Sequence, residues 1–138
     1  MAFTWYQNTG RTTPVIISHI KAKASQAFKH GQALVVASGR WQPAAKGAKV
    51  GGIYAGDPFT SGANDLIDVI EVTANDAFIV DYTGTPDSGF VEGVETADIG
   101  DDADALNAAD ITGGAFAVLK IDTTNKKAYV RGKLRQFS

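Results

Sequence analysis

Apolar residues in this chain gather in short β-branched runs, not at helical spacing. Pro14 opens Val15-Ile16-Ile17-Ser18-His19-Ile20, and Ala33-Leu34-Val35-Val36-Ala37 follows. Ser38-Gly39 is a turn signal, and Arg40-Trp41-Gln42 starts a return strand. Ile53-Tyr54-Ala55 predicts a further short strand, and Leu66 to Thr73 with Ala77 to Tyr82 predicts a hairpin joined near Ala74-Asn75-Asp76. At the C-terminal end, Ala115 to Ile121 and Ala128 to Leu134 predict a matched pair around the turn formers Asp122 to Lys127. In its return arm Val130 and Leu134 lie on one face, and Tyr129, Arg131, Lys133 and Arg135 on the other.

Many short strands with turns every eight to twelve residues predict a mainly all-β fold, a single small β-barrel or β-sandwich. At most one or two short helices fit. Lys21 to His30 reads as a short helical turn or an irregular bridge stopped by Gly31, and Asp98 to Asp110, with Ala103, Leu106 and Ala109 at helical spacing, is the other helical candidate. Gly84 to Gly89 reads as a turn, with a short strand possible from Phe90 to Val94. Residues 1–13 show no period yet hold Phe3, Trp5 and Tyr6, so they divide off as an extended N-terminal arm before one domain over 14–138. The arm is either the start of a buried edge or a segment that inserts aromatics into a neighbour, where such residues concentrate contact energy. In Leu66 to Val72 both faces are apolar, with Ile67 and Val69 on one and Leu66, Ile70 and Val72 on the other. Such a strand needs cover on both sides, from a closed barrel or from a partner subunit.

The 138 residues suit one domain, and fifteen glycines favour turns over long helices. With no cysteine, disulfides, thiolate metal sites and cysteine nucleophiles are excluded. No apolar run is long enough for a signal peptide or a membrane span, so the expectation is synthesis in the cytoplasm without export and no membrane partner. The net charge of −2 hides three blocks: +7 over 1–56, −14 over 57–114 and +5 over 115–138. Either the blocks pair within the fold, or they form separate faces suited to charged partners.

The residues offer no catalytic constellation. His19 and His30 lack a nucleophile elbow and metal-site spacing, and read as structural or surface groups. Asp98, Asp101, Asp102, Asp104 and Asp110 lack the central glycine and closing glutamate of a calcium loop. The glycine clusters have no phosphate-loop ending. We therefore expect neither an enzyme nor a cofactor. Tyr129 and Phe137 beside Arg131, Lys133 and Arg135 would suit stacking on nucleic acid, but the acidic balance argues against that partner.

One resemblance runs through most of the chain. It is carried by Pro14-Val15-Ile16-Ile17, Gly31-Gln32-Ala33-Leu34-Val35-Val36 with Ser38-Gly39-Arg40-Trp41, Val50-Gly51-Gly52-Ile53, and the stretch from Gly113 to Lys126. In these features the chain resembles the capsid decoration, or cement, proteins of phage heads. The resemblance implies a virion structural protein on the capsid exterior that binds the major capsid protein non-covalently and stabilises the shell. It also implies self-association, with a trimer favoured. On that expectation Phe3, Trp5 and Tyr6 are the capsid-contact candidates, and Leu66, Ile67, Val69, Ile70 and Val72 line the core or an oligomer interface. The alternative is another virion surface component, a head fibre or tail protein that reads a receptor or glycan, with Trp41 and Tyr54 as aromatic platforms.

Overall fold

A computed structural model describes residues 2–137, and these form an all-β structure with no helix. The strands in chain order are β1 (Thr4–Asn8), β2 (Ile16–Lys21), β3 (Ala27–Phe28), β4 (Ala33–Ala37), β5 (Arg40–Pro43), β6 (Gly52–Tyr54) and β7 (Phe59–Thr60). They continue with β8 (Leu66–Glu71), β9 (Asp76–Thr83), β10 (Asp98–Ile99), β11 (Leu106–Asn107), β12 (Phe116–Asp122) and β13 (Lys127–Gly132). Met1 and Ser138, the outer ends of the expected arm and domain, lie outside the described residues.

Two main sheets divide the strands. The larger runs β10-β11-β9-β13-β12, with β1 added to the flank of β9. The smaller runs β2-β8-β6-β4-β5 and curls until Ala22, just past β2, bridges Trp41 of β5. β3 and β7 form a separate two-stranded ribbon. Two hydrophobic clusters form the core, and the larger also takes in Ala33 and Ile53 of the smaller sheet. The larger cluster centres on Phe3, Phe78, Val80, Phe116, Val118 and Val130. The smaller centres on Phe28, Leu34, Trp41, Tyr54, Ile67 and Val69. Gly51 and Gly52 let the Trp41 indole lie on the strand backbone; a Cβ on either would come within 3.4 Å of the ring.

Several expectations need correction. Leu66 to Thr73 and Ala77 to Tyr82 do form strands, but not a hairpin: β8 pairs with β2 and β6, whereas β9 pairs with β1, β11 and β13. The chain crosses between sheets at Val72, which is buried in the larger core. Ile67 and Val69 face the smaller core, and Ile70 packs against the larger. The two-sided strand is therefore covered within its own chain, except at Leu66, which is exposed. Asp98 to Asp110 is not helical. Ala103, Leu106 and Ala108 are buried, but they reach the core from two short strands and a turn that Gly100 closes by donating to the Ala105 carbonyl. Lys21 to His30 contains the end of β2, a turn and β3. Phe90 to Val94 is a turn, with Phe90 buried against Tyr82.

The arm is not free. Residues 4–8 are a strand on β9, and the Phe3 ring is buried, stacked on Phe116 at 4.8 Å and edge-on to Phe78 at 6.4 Å. The Phe3 N–H donates to the Gly31 carbonyl at 2.9 Å. An aromatic this apolar is worth more in a core than in water, and it takes the strand behind it into the sheet. Phe3→Ala should lower stability by about 3 kcal/mol through the cavity it leaves. Urea titration checks this, and a loss below about 1 kcal/mol would mean that the N-terminal segment is not part of the core.

Candidate interaction surface

The outer face of the larger sheet is built by simple alternation. Along β13, Ala128 and Val130 point into the core, while Lys127, Tyr129 and Arg131 point out, opposite Asp81, Ile79 and Ala77 of β9. In β1 the register slips between Trp5 and Gln7, so Tyr6 is the extra residue of a bulge. That bulge aims Tyr6 onto the outer face, where it stays 47% exposed and meets Tyr129 edge-on at 5.1 Å. A second bulge, between Val118 and Lys120 on β12, brings Lys120 Nζ over the Tyr129 ring at 5.2 Å. Two tyrosines, Ile79 and the cations of Lys120 and Arg131 thus share one rigid surface.

Of the three aromatic candidates in the N-terminal segment, only Tyr6 is exposed. Phe3 is in the core. Trp5 is half-buried, and its Nε1 donates to the Asp76 carboxylate at 3.0 Å. Trp41 and Tyr54 are 7% and 4% exposed, in the smaller core, so neither is an open platform. Burial, helped by the carboxylates of Asp57 and Asp68, holds the Tyr54 hydroxyl above its ordinary pKa, and it donates to the Asp57 carbonyl at 2.6 Å.

A second surface lies along β2, an edge strand. Ile16 and Ile17 are 51% and 40% exposed there. Beside them a small cleft of about 160 Å³ is lined by Ile17, Trp41, Gly51, Glu71, Val72 and Phe137. Phe137 stacks on Trp41 at 6.1 Å yet remains 54% exposed. Its segment is fixed by Gln136, whose side-chain amide donates to the Val36 carbonyl at 2.9 Å and accepts from the Val36 N–H at 2.8 Å. A side chain here replaces a missing strand on the β6 flank of β4. Alternation in the sequence marks strands, but not which edge stays open, so neither surface could be placed without the topology.

The charge blocks pair with one another. Arg11 with Asp76, Lys29 with Asp102, Lys46 with Asp101, Lys127 with Asp81 and Lys133 with Glu95 each join a basic end of the chain to the acidic middle. Asp98 is buried and accepts from the Gly47 and Ile99 backbone amides. The Asp110 carboxylate accepts from the Thr112 N–H and hydroxyl. The acidic segment is thereby tied into the fold, and no three His, Asp or Glu side chains among the described residues converge to hold a metal. The histidines serve separate ends. His19 lies in the β2 bulge at φ +60°, its N–H on Asp68, and His30 Nδ1 is 3.0 Å from the Gly56 carbonyl.

Comparison with models of protein families, with curated proteins and with solved structures finds no match for this chain.

Proposed function

We propose that this chain is a virion structural protein that binds the outside of an assembled phage capsid and stabilises it without covalent bonds. Its partner is the major capsid protein. The observation that carries the reading is the Tyr6–Tyr129 pair with Lys120 and Arg131 on a helix-free sheet face. Tyrosine and arginine on a rigid, partly exposed surface are the residue types in which contact energy concentrates. Ile16, Ile17 and Phe137, exposed along the second surface, would serve self-association. A trimer would present three docking faces at once, so modest single contacts add to strong attachment. A head-fibre or tail role reading a receptor or glycan lacks the exposed Trp41 and Tyr54 it would need.

The test is co-sedimentation with assembled heads of the phage that carries the gene, set against unassembled capsid subunits, with the protein's own mass read by light scattering. Binding to assembled heads only, by an oligomer, is the expected result. Tyr6→Ala should weaken it by about 2 kcal/mol, roughly thirtyfold in Kd, with little change in melting temperature. No sedimentation with heads under conditions where the protein is folded would overturn the reading.

A further inference from the structure

Where the β8–β9 turn meets the end of β13, a cleft of about 430 Å³ is lined by Ala74, Arg131, Gly132, Lys133 and Arg135. Three cations border it and no carboxylate lines it. Lys133 is engaged with Glu95 at 3.3 Å. Arg135 Nη1 is spent on its own backbone, donating to the Gly132 carbonyl at 2.6 Å. Arg131 differs: among the described residues its guanidinium makes no hydrogen bond and no ion pair. The Nε atoms of Arg131 and Arg135 are both withdrawn from solvent without an acceptor. Arginine presents its donors in a planar fork that matches a carboxylate, and a half-buried fork with no acceptor is poised for one.

We propose that this cleft binds a carboxylate-rich segment of a partner polypeptide, with Arg131 as its principal ligand and Arg135 beside it. The inference rests on reading the adjoining tyrosine face as a protein-docking surface, and it supplies the chemistry of the partner. Seated there, an aspartate or glutamate would meet the Arg131 fork bidentately, with the neighbouring residues of the segment running toward Tyr129. A protein partner fits better than nucleic acid. The cationic surface is short, and it is interrupted by Glu95 beside Lys133 and by Asp81 beside Lys127. The chain as a whole carries net −2, so no continuous basic track exists for a phosphate backbone.

The probe is a capped hexaglutamate peptide, titrated by calorimetry into the full chain, with a thymidine oligonucleotide and inorganic phosphate as parallel probes. Wild type should bind the peptide, and Arg131→Gln should weaken binding at least tenfold. Lys23→Gln, an exposed cation in the segment between β2 and β3, should leave it unchanged. Arg131→Lys keeps the charge but loses the fork and should recover only part of the affinity. Melting curves identify any variant that fails to fold, and Arg131 bears no contact whose loss would unfold the sheet. No peptide binding at millimolar concentration, equal binding by Arg131→Gln, or tighter binding of oligonucleotide or phosphate than of peptide would each overturn the inference. Peptide capture governed by Arg131 without attachment to heads would sustain the cleft and overturn the capsid reading. Attachment to heads indifferent to Arg131 would do the reverse.

Discussion

Asp76→Ala is expected to destabilise the protein by about 4–5 kcal/mol, the scale reached when one member of a buried ionic network is removed. The Asp76 side chain is fully buried and gathers donors from two directions. Its Oδ1 accepts from Trp5 Nε1 at 3.0 Å and Asn8 Nδ2 at 2.8 Å, with Arg11 Nη2 at 3.4 Å. Its Oδ2 accepts from the Thr73 N–H and hydroxyl, each at 2.8 Å. One carboxylate therefore closes the crossing from β8 to β9 and fastens β1 to the sheet. Alanine leaves these donors without an acceptor, which costs more than the bonds alone contribute. Chemical denaturation of Asp76→Ala and Asp76→Asn measures the loss, and a change below about 1 kcal/mol in both would mean the network is not stabilising.

The same group sets a pH dependence. Burial pushes the Asp76 carboxyl upward, but the bonds from Trp5, Asn8 and Thr73 together outweigh it and hold its pKa below the ordinary 3.8. The unfolded chain then binds the proton more readily than the folded one. This contribution is fully present above the ordinary carboxylate range and is lost as pH falls through the lowered value. The stability gap between wild type and Asp76→Asn should accordingly narrow in strong acid. A gap constant down to pH 2 would show that the charge is not what the network uses.

Gly114→Ala should cost about 4 kcal/mol, because its side chain would have to occupy backbone. A Cβ there would stand 2.1 Å from the Ala97 carbonyl oxygen and 2.5 Å from the Asp98 Cα. That approach lets residues 92–97 cover the outer edge of β12. Gly93 and Val94 exchange bonds with Val118, Ala97 with Phe116, and the Ile121 N–H donates to Glu92. Covering an edge removes a template for pairing with other chains. Hydrogen exchange at Phe116 and Val118 should accelerate in the variant alongside the loss of stability. Gly113→Ala, at φ +71° in open space, should cost only about 1 kcal/mol. Equal effects at the two positions would refute the close-approach argument.

The strands most legible in the sequence were those with local causes. Ala33–Ala37 and the pair Phe116–Asp122 and Lys127–Gly132 carry their alternation and turn residues within a few positions. The elements that escaped depend on distant partners. β1 has no alternation of its own and exists because Phe3 reaches Phe78 and Phe116. β10 and β11 are two residues each, too short for any period, and are held by Asp98 against Gly47 and by β9. Asp76, which ties the molecule together, reads in sequence as one turn former among several. The candidate surface was half visible: Tyr129, Arg131, Lys133 and Arg135 share a face by period alone, but Tyr6 joins them only through a bulge that no pattern announces.

β1 and the segment at Gln136 are each fastened by partners far away in sequence, β1 by the Asp76 carboxylate and Gln136 by Val36. During synthesis β1 has nothing to pair with until β9 has emerged, and β4 keeps an open flank until Gln136 is made. The nascent protein therefore waits with two sticky strands and closes only after Gln136 has left the ribosome. Growth temperature and helper chaperones should govern its yield in cells more strongly than the stability of the finished fold would suggest.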